Sequence, residues 1–175
     1  MANLELGPCQ ALFGTAGAET NLGKTEGGVT ARFFTDFADL MTDQDGTRPQ
    51  DRIITGQGAE IELALADILL ENIALALNQT LFISGGTHLV VGENRIGASL
   101  KDTFSGSLLL KKYVGGAVST DEDDWLRFPK AAPNPETVEI AFDKATQRVI
   151  NATFIAFFDD NDSLYYFGNE ATPWS

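Results

Sequence analysis

Halfway along residues 51–78, the spacing of the hydrophobic residues changes from that of a strand to that of a helix, which constrains the fold. Over residues 53–63, Ala59, Ile61 and Leu63 alternate with Glu60 and Glu62, and this two-residue period is typical of a strand with one side in water. From residue 66 the period becomes helical. The segment therefore predicts a strand that leads directly into a helix.

The predicted helix, residues 66–77, has a wider apolar arc than one small sheet can cover. Its few polar residues fall on one narrow stripe when the sequence is wound as a helix. If Leu69, Ile73 and Ala76 lie on the sheet, Ile68 and Leu75 face elsewhere and need a second cover. Two interpretations remain open: the helix is sunk in the core of the monomer, or Ile68 and Leu75 contact a neighbouring subunit.

Other alternating segments define the fold class. Residues 29–37 precede the turn-rich residues 43–49, so we predict that they pair with residues 53–63 in a hairpin with a long tip. Further strands are predicted at residues 8–13, 106–113, 125–130, 137–142, 148–158 and 164–167, and the Gly-rich residues 14–28 and 84–97 are predicted to be loops. The sum is a mainly β fold, an antiparallel β-sandwich or barrel with one flanking α-helix.

The composition is strongly acidic, with 25 acidic and 12 basic residues among 175 and a net charge of −13. The length suits a single domain, residues 1–175, whose core needs no disulfide. The acidic residues are spread along the chain, and such a surface repels phosphate. We therefore expect no tight binding of nucleic acid or of an anionic membrane, although the surface would let nucleic acid slide past. Cys9 is the only cysteine, and no signal peptide or membrane span is predicted.

Residues 18–25, AETNLGKT, fit a relaxed phosphate-loop pattern in which Ala18 replaces the first glycine. That chemistry requires a helix after the loop, so that its amide groups face the phosphates. Here Gly27, Gly28 and an alternating strand follow Lys24 directly. We therefore predict no nucleotide or other cofactor at this segment.

The sequence supplies little for catalysis or metal binding. Asp159, Asn161 and Ser163 have the spacing of some calcium-loop ligands, but Leu164 stands where such a loop must turn sharply. His88 is the only histidine, which excludes a site built from several histidines. We predict no catalytic residue, no metal site and no enzyme activity.

Five stretches, taken together and in this order, resemble the tail tube proteins of long-tailed bacteriophages. The stretches are LGKTEGGV (22–29), GTRPQDRIITGQG (46–58), the strand-to-helix segment 59–77, WLRFPKAA (125–132) and TVEIAFDKATQRVINATFIAF (137–157). The resemblance implies a β-sandwich-like subunit without enzyme activity that assembles into hexameric rings, which stack into a hollow tube. It places the protein in the virion tail, assembled in the host cytoplasm.

The resemblance also implies partners and positions. The partners are other copies of the chain, the tape-measure protein and translocating DNA in the lumen without tight binding, and the tail terminator and baseplate or tip proteins, with no membrane. A loop at residues 40–52 reaches the adjacent ring, with Asp43, Asp45, Gly46, Arg48 and Pro49 as stacking candidates.

Alternation along the strands selects candidates for the lumen of such a tube. They are Thr30, Arg32, Asp36, Glu60, Glu62, Glu139, Asn151 and Thr153. Alternation gives one shared face but does not say which face is inside, so the alternative that these residues lie on an ordinary outer surface stays open.

Two other functions also remain open: a tube subunit of a contractile injection or secretion machine, and a β-sandwich binding module such as a virion decoration or carbohydrate-binding domain.

Overall fold

Antiparallel strands form most of the fold. The computed structural model describes residues 9–40, 50–136, 138 and 149–168. A short π-helical turn (Leu100–Phe104) and a 3₁₀ turn (Glu122–Asp124) accompany the following elements. The strands are β1 (Cys9–Thr15), β2 (Ala18–Asn21), β3 (Thr25–Leu40), β4 (Asp51–Leu65), β5 (Thr80–Ser84), β6 (Thr87–Val91), β7 (Gly106–Val114), β8 (Ala117–Val118), β9 (Trp125–Asn134), β10 (Ile150–Ala156) and β11 (Tyr166–Phe167), and the α-helix is α1 (Leu70–Ala76).

The main sheet curls on itself. Its strands pair in the order β2-β1-β7-β9-β10-β4-β3, with β11 added to β9 and β8 added to β7, while β5 and β6 form a separate hairpin. Two strands separate β1 from β10 in this order, yet the ring centroids of Phe13 and Phe154 lie 5.1 Å apart. The two halves of the sheet therefore face each other across one core, and the predicted antiparallel, sandwich-like class with one helix is confirmed.

The core follows directly from strand alternation. In β4 and β10, Ile61 pairs with Phe154 and Leu63 with Ala152, and all four side chains are buried. Because neighbours on a strand point to opposite faces, the residues between them are left on the far side of the sheet. Each large apolar side chain buried in this way contributes about 1.5–3 kcal/mol.

The β3–β4 hairpin is confirmed and is longer than predicted. Its strands contain 16 and 15 residues, where strands of about 3–10 residues are usual. The pairing shifts register between Asp36 and Phe37, and such a bulge increases the local twist. The five stacking candidates at 43–49 lie outside the described residues.

The predicted helix begins too early. Residues 66–69 lie outside any helix or strand, and α1 starts at Leu70. Hydrogen bonds to the β2–β3 connection hold this segment: Ala66 N–H donates to the Lys24 carbonyl (2.8 Å), and the Asp67 carboxylate accepts the Lys24 N–H (2.9 Å). Asn72 Nδ2 donates to the carbonyls of Leu22 (2.9 Å) and Asp67 (2.8 Å). Side chains that bond the backbone in this way compete with helix formation.

The two Gly-rich segments are not plain loops, which corrects a second prediction. Residues 14–28 contain β2 and the start of β3, and residues 84–97 contain the turn of the β5–β6 hairpin and all of β6. Gly85 and Gly86 form that turn at φ of 57° and 81°, as a two-residue hairpin loop requires. Of the predicted strand 137–142, only Val138 is described, and it is not in a strand.

Asn72 provides a test of this fold. We expect Asn72→Ala to lower the free energy of unfolding by about 1–3 kcal/mol, because one buried and one half-buried carbonyl lose their donor. The measurement is urea unfolding followed by circular dichroism. Glu71→Ala, at the exposed neighbouring position of α1, is the control and should change stability by less than about 0.5 kcal/mol. Equal midpoints for the two variants would contradict the role given to Asn72.

Candidate assembly interface

One face of the main sheet gathers the predicted lumen residues. Across β3 and β4, Thr30 pairs with Glu62 and Arg32 with Glu60, and across β4 and β10, Thr153 pairs with Glu62. Directly paired residues share a face. Seven of the eight candidates therefore lie on one surface, the polar face, and Glu139 lies outside the described residues. The members of the polar face are Thr30, Arg32, Asp36, Glu60, Glu62, Asn151 and Thr153.

The polar face carries one cation and three carboxylates. Arg32 donates a hydrogen bond to Glu62 and forms an ion pair with it. This hydrogen bond and the charge of Glu62 raise the pKa of Arg32 above its ordinary value, so Arg32 stays charged at any physiological pH. Asp36 and Glu60 complete the charged set, and the face as a whole remains acidic.

Beyond the core, the β3–β4 hairpin continues as a two-stranded ribbon that we call the arm (residues 33–40 and 51–58). Phe33, Phe34, Ile53 and Ile54 are each 43–54% exposed. Since consecutive residues on a strand point to opposite faces, both faces of the arm present apolar side chains to water. Among the described strands, β3 pairs with β4 alone, so one backbone edge of the arm is also open.

Charged contacts order side chains at the end of the arm. Arg52 Nε lies 2.6 Å from Asp39 Oδ1, and its guanidinium lies 5.6 Å from the centre of the Phe37 ring. The hydrogen bond and charge of Asp39 raise the pKa of Arg52. These contacts are exposed, and contacts of this kind hold side chains in place without adding much stability.

An aromatic cleft lies where the arm meets the main sheet. The Phe33 ring centre is 4.6 Å from that of Tyr165, 5.9 Å from Phe167 and 6.1 Å from the buried Phe128. The cleft has a volume of about 330 Å³ and is lined by residues 33–35, 57–58, 158 and 162–166. Tyr165 and Phe167 are 40% and 47% exposed. The cleft is therefore open to solvent, and its lining combines aromatic rings with the polar side chains of Thr35, Gln57, Asp162 and Ser163.

The β5–β6 hairpin exposes a third apolar surface. Phe82 pairs with Leu89 and Thr80 with Val91, so these side chains share one face, which we call the free face. Phe82, Leu89 and Val91 are 36–54% exposed. On the other face, Leu81 and Val90 are half-buried and Ile83 is exposed, and both strands of the hairpin contact α1.

This packing corrects the prediction for the helix. Ile68 and Leu75 are half-buried and pack against the core, whereas Leu69, which was expected on the sheet, is 53% exposed. Because α1 starts one turn later than predicted, Leu69 lies before the helix and not on its sheet-facing side. The β5–β6 hairpin contacts part of the helix surface. Ile68 and Leu75 are thus partly covered within the monomer, and their contact with a neighbouring subunit stays a prediction.

The other sequence candidates have local structural roles. Asp159 Oδ1 accepts the N–H groups of Asn161 (2.9 Å) and Ser163 (2.7 Å) and so forms a turn. Within the described ranges, no three His, Cys, Asp or Glu side chains are grouped as metal ligands, and no helix there is long and apolar enough to cross a bilayer. Burial raises the pKa of the Cys9 thiol to about 11.

The sequence analysis missed the free face and the cleft. For the free face a signal existed: residues 80–84 and 87–91 are β-prone runs separated by Gly85-Gly86, which is a typical hairpin pattern. The cleft had no such signal, because it joins residues 33–35 to residues 162–166, far apart in the chain.

Comparisons with known proteins give limited information. No protein-family model and no curated protein matches the sequence. Among solved structures, the chain is similar to Hcp1 from Flavobacterium johnsoniae, with a TM-score of 0.36 and 14% identity over 83% of this chain and 87% of that chain. Values of this size do not show a shared family or a shared function.

Phe33 and Phe34 are expected to differ in their importance for folding. Phe33→Ala should cost about 2 kcal/mol, less than a fully buried phenylalanine, because its ring contacts three other rings. Phe34→Ala should cost about 1 kcal/mol or less, because its half-exposed ring lies over Gly58 on β4. Urea unfolding at low protein concentration measures both. A larger loss for Phe34→Ala would contradict the described packing.

Proposed function

We propose that the protein is a structural subunit that assembles with copies of itself into closed rings, which stack into a hollow tube. The observation that carries the proposal is the arm, with apolar side chains on both faces and an open backbone edge. An isolated two-stranded ribbon is marginally stable in water. A partner that covers the arm would stabilise it.

The size of the exposed surface supports a partner. Phe33, Phe34 and Phe37 are each about half exposed, and a buried aromatic side chain covers about 150–250 Å², so these rings alone leave about 300 Å² open. Because Phe33 and Phe34 point to opposite faces, this area is divided between the two faces of the arm. The remaining apolar residues of the arm add to it.

A second copy of the chain is the partner we propose. The arm and the free face belong to different elements, and a contact between unlike surfaces of identical subunits closes into a ring when the rotation per subunit permits. A ring also removes open sheet edges, which otherwise favour uncontrolled aggregation. Six subunits per ring, and stacking through residues 40–52, are expectations taken from the resemblance to phage tail tubes.

We propose that the polar face lines the bore of the tube. Its acidic character would repel DNA phosphates and leave no row of cations to hold them. DNA could then pass after a tape-measure protein has left. On this proposal the protein is part of a phage virion tail and has no enzyme activity, and the closest alternative is a tube of a contractile injection or secretion machine.

The aromatic cleft favours a second candidate function. Exposed rings around a cleft of about 330 Å³ have the size and lining of a small-molecule site. A monomeric binding module would use the cleft for a ligand and leave the arm in water. We prefer the tube because a ligand in the cleft would not cover the far end of the arm.

Assembly of the purified protein tests the proposal. We expect rings or tubes in negative-stain images, and sedimentation that depends on protein concentration. Ile54→Asp, on the arm, should raise the concentration needed for assembly at least about tenfold, because a charge would be buried in the contact. Ile96→Asp is the matched control, since Ile96 is 94% exposed and belongs to the connection after β6, outside the arm.

A wild-type protein that stays monomeric at the highest soluble concentration would overturn the tube. Equal effects of the two aspartate variants would show that assembly does not use the arm.

A further inference from the structure

We infer that the ring contact is made by the free face of the β5–β6 hairpin of one copy, seated in the aromatic cleft of the next copy. This inference rests on the proposed self-assembly and names the surfaces that carry it. Phe82 and Leu89 would be the inserted side chains.

Charge distribution is the first observation behind this pairing. Two copies of a chain with a net charge of −13 repel each other, so they must meet where charge is absent. Residues 80–92 contain no Asp, Glu, Lys or Arg, although they form an exposed hairpin. Of the residues that line the cleft, only Asp162 is charged. Depletion of charged residues and enrichment in aromatic ones are typical of the core of an interface.

Size and shape give the second observation. A cavity of about 150 Å³ accommodates a benzene ring, so a cleft of about 330 Å³ has room for the Phe82 ring and a second side chain. Phe82 and Leu89 are directly paired across the hairpin and therefore project side by side. The free face thus presents two adjacent apolar side chains whose combined size fits the volume of the open, ring-lined cleft.

Rigidity of the hairpin is the third observation. Gln79 Oε1 accepts the Glu93 N–H (2.7 Å), and Arg95 Nη2 donates to Thr80 Oγ1 (2.7 Å) and forms an ion pair with Glu93. These bonds close the base of the hairpin, and both of its strands contact α1. A surface that is already ordered loses little conformational entropy on binding.

Matched variants on the two faces of the hairpin test the inference. Phe82→Asp should weaken association about thirtyfold or more, as expected for a central aromatic contact. Ile83→Asp is the control, because Ile83 is the adjacent exposed residue and pairs with His88 on the opposite face. It should assemble within about threefold of wild type. Sedimentation velocity over a concentration series measures the constants, and circular dichroism verifies folding.

The outcomes separate the inference from the function it rests on. If wild type does not assemble, the proposed tube fails and the inference fails with it. If wild type assembles and Phe82→Asp assembles equally well, the tube stands and the hairpin contact is overturned.

Crosslinking gives an independent test that needs no disruptive variant. Thr87→Cys lies on the free face next to the Phe82–Leu89 pair, and Ser163→Cys lies in the cleft. We would mix the two variants, carried on copies of different size, under assembling conditions and add a short bismaleimide. The predicted product is a covalent heterodimer that neither variant forms alone. Native Cys9 should contribute little, because a thiol with a raised pKa is rarely the reactive thiolate.

A Thr120→Cys copy replaces Thr87→Cys in the control, since Thr120 is exposed in a different loop. A yield with Thr87→Cys no greater than the yield with Thr120→Cys would overturn the contact even where assembly is intact.

Discussion

The pairing of β3 with β4 is the interaction on which the rest of the structure depends. At one end of this ladder, Ala59, Ile61 and Leu63 complete the core. At the other end the same ladder continues past the body as an arm that nothing in the described chain covers on both faces. A strand pair of this length is held by its buried half, and that half positions the exposed half in a fixed direction. The polar face and the aromatic cleft both take their positions from it.

Much of this arrangement could be predicted from the sequence, because alternation is a local signal. The core faces of β4 and β10 and the shared side of Thr30, Arg32 and Glu62 follow from a period of two. The start of the helix was harder to predict, since its apolar arc did not show that hydrogen bonds of Asp67 and Asn72 would keep residues 66–69 out of the helix. Long-range bonds to residues 22–24 decide where α1 starts, and a hydrophobic pattern does not report them.

The apolar surfaces that we propose a partner covers lie on the hairpins, whereas the sequence pattern placed such a surface on the helix. The wide arc predicted for residues 66–77 is partly covered within the monomer: Ile68, Ile73 and Leu75 pack against the core, while Leu69 and Leu70 stay exposed. The β5–β6 hairpin exposes Phe82 and Leu89, and the arm exposes its phenylalanines. An acidic chain with exposed apolar side chains on an uncharged hairpin and on the arm suits repeated association with itself, with most acidic residues left facing solvent or a bore.

Amide hydrogen exchange of residues 33–40, in dilute and in concentrated protein, measures whether assembly covers the arm. We expect these amides, on the open edge and exposed faces of the arm, to become strongly protected when the protein assembles, while the amides of β10 change little. Equal exchange of residues 33–40 at both concentrations, with assembly verified in the same samples, would contradict this expectation.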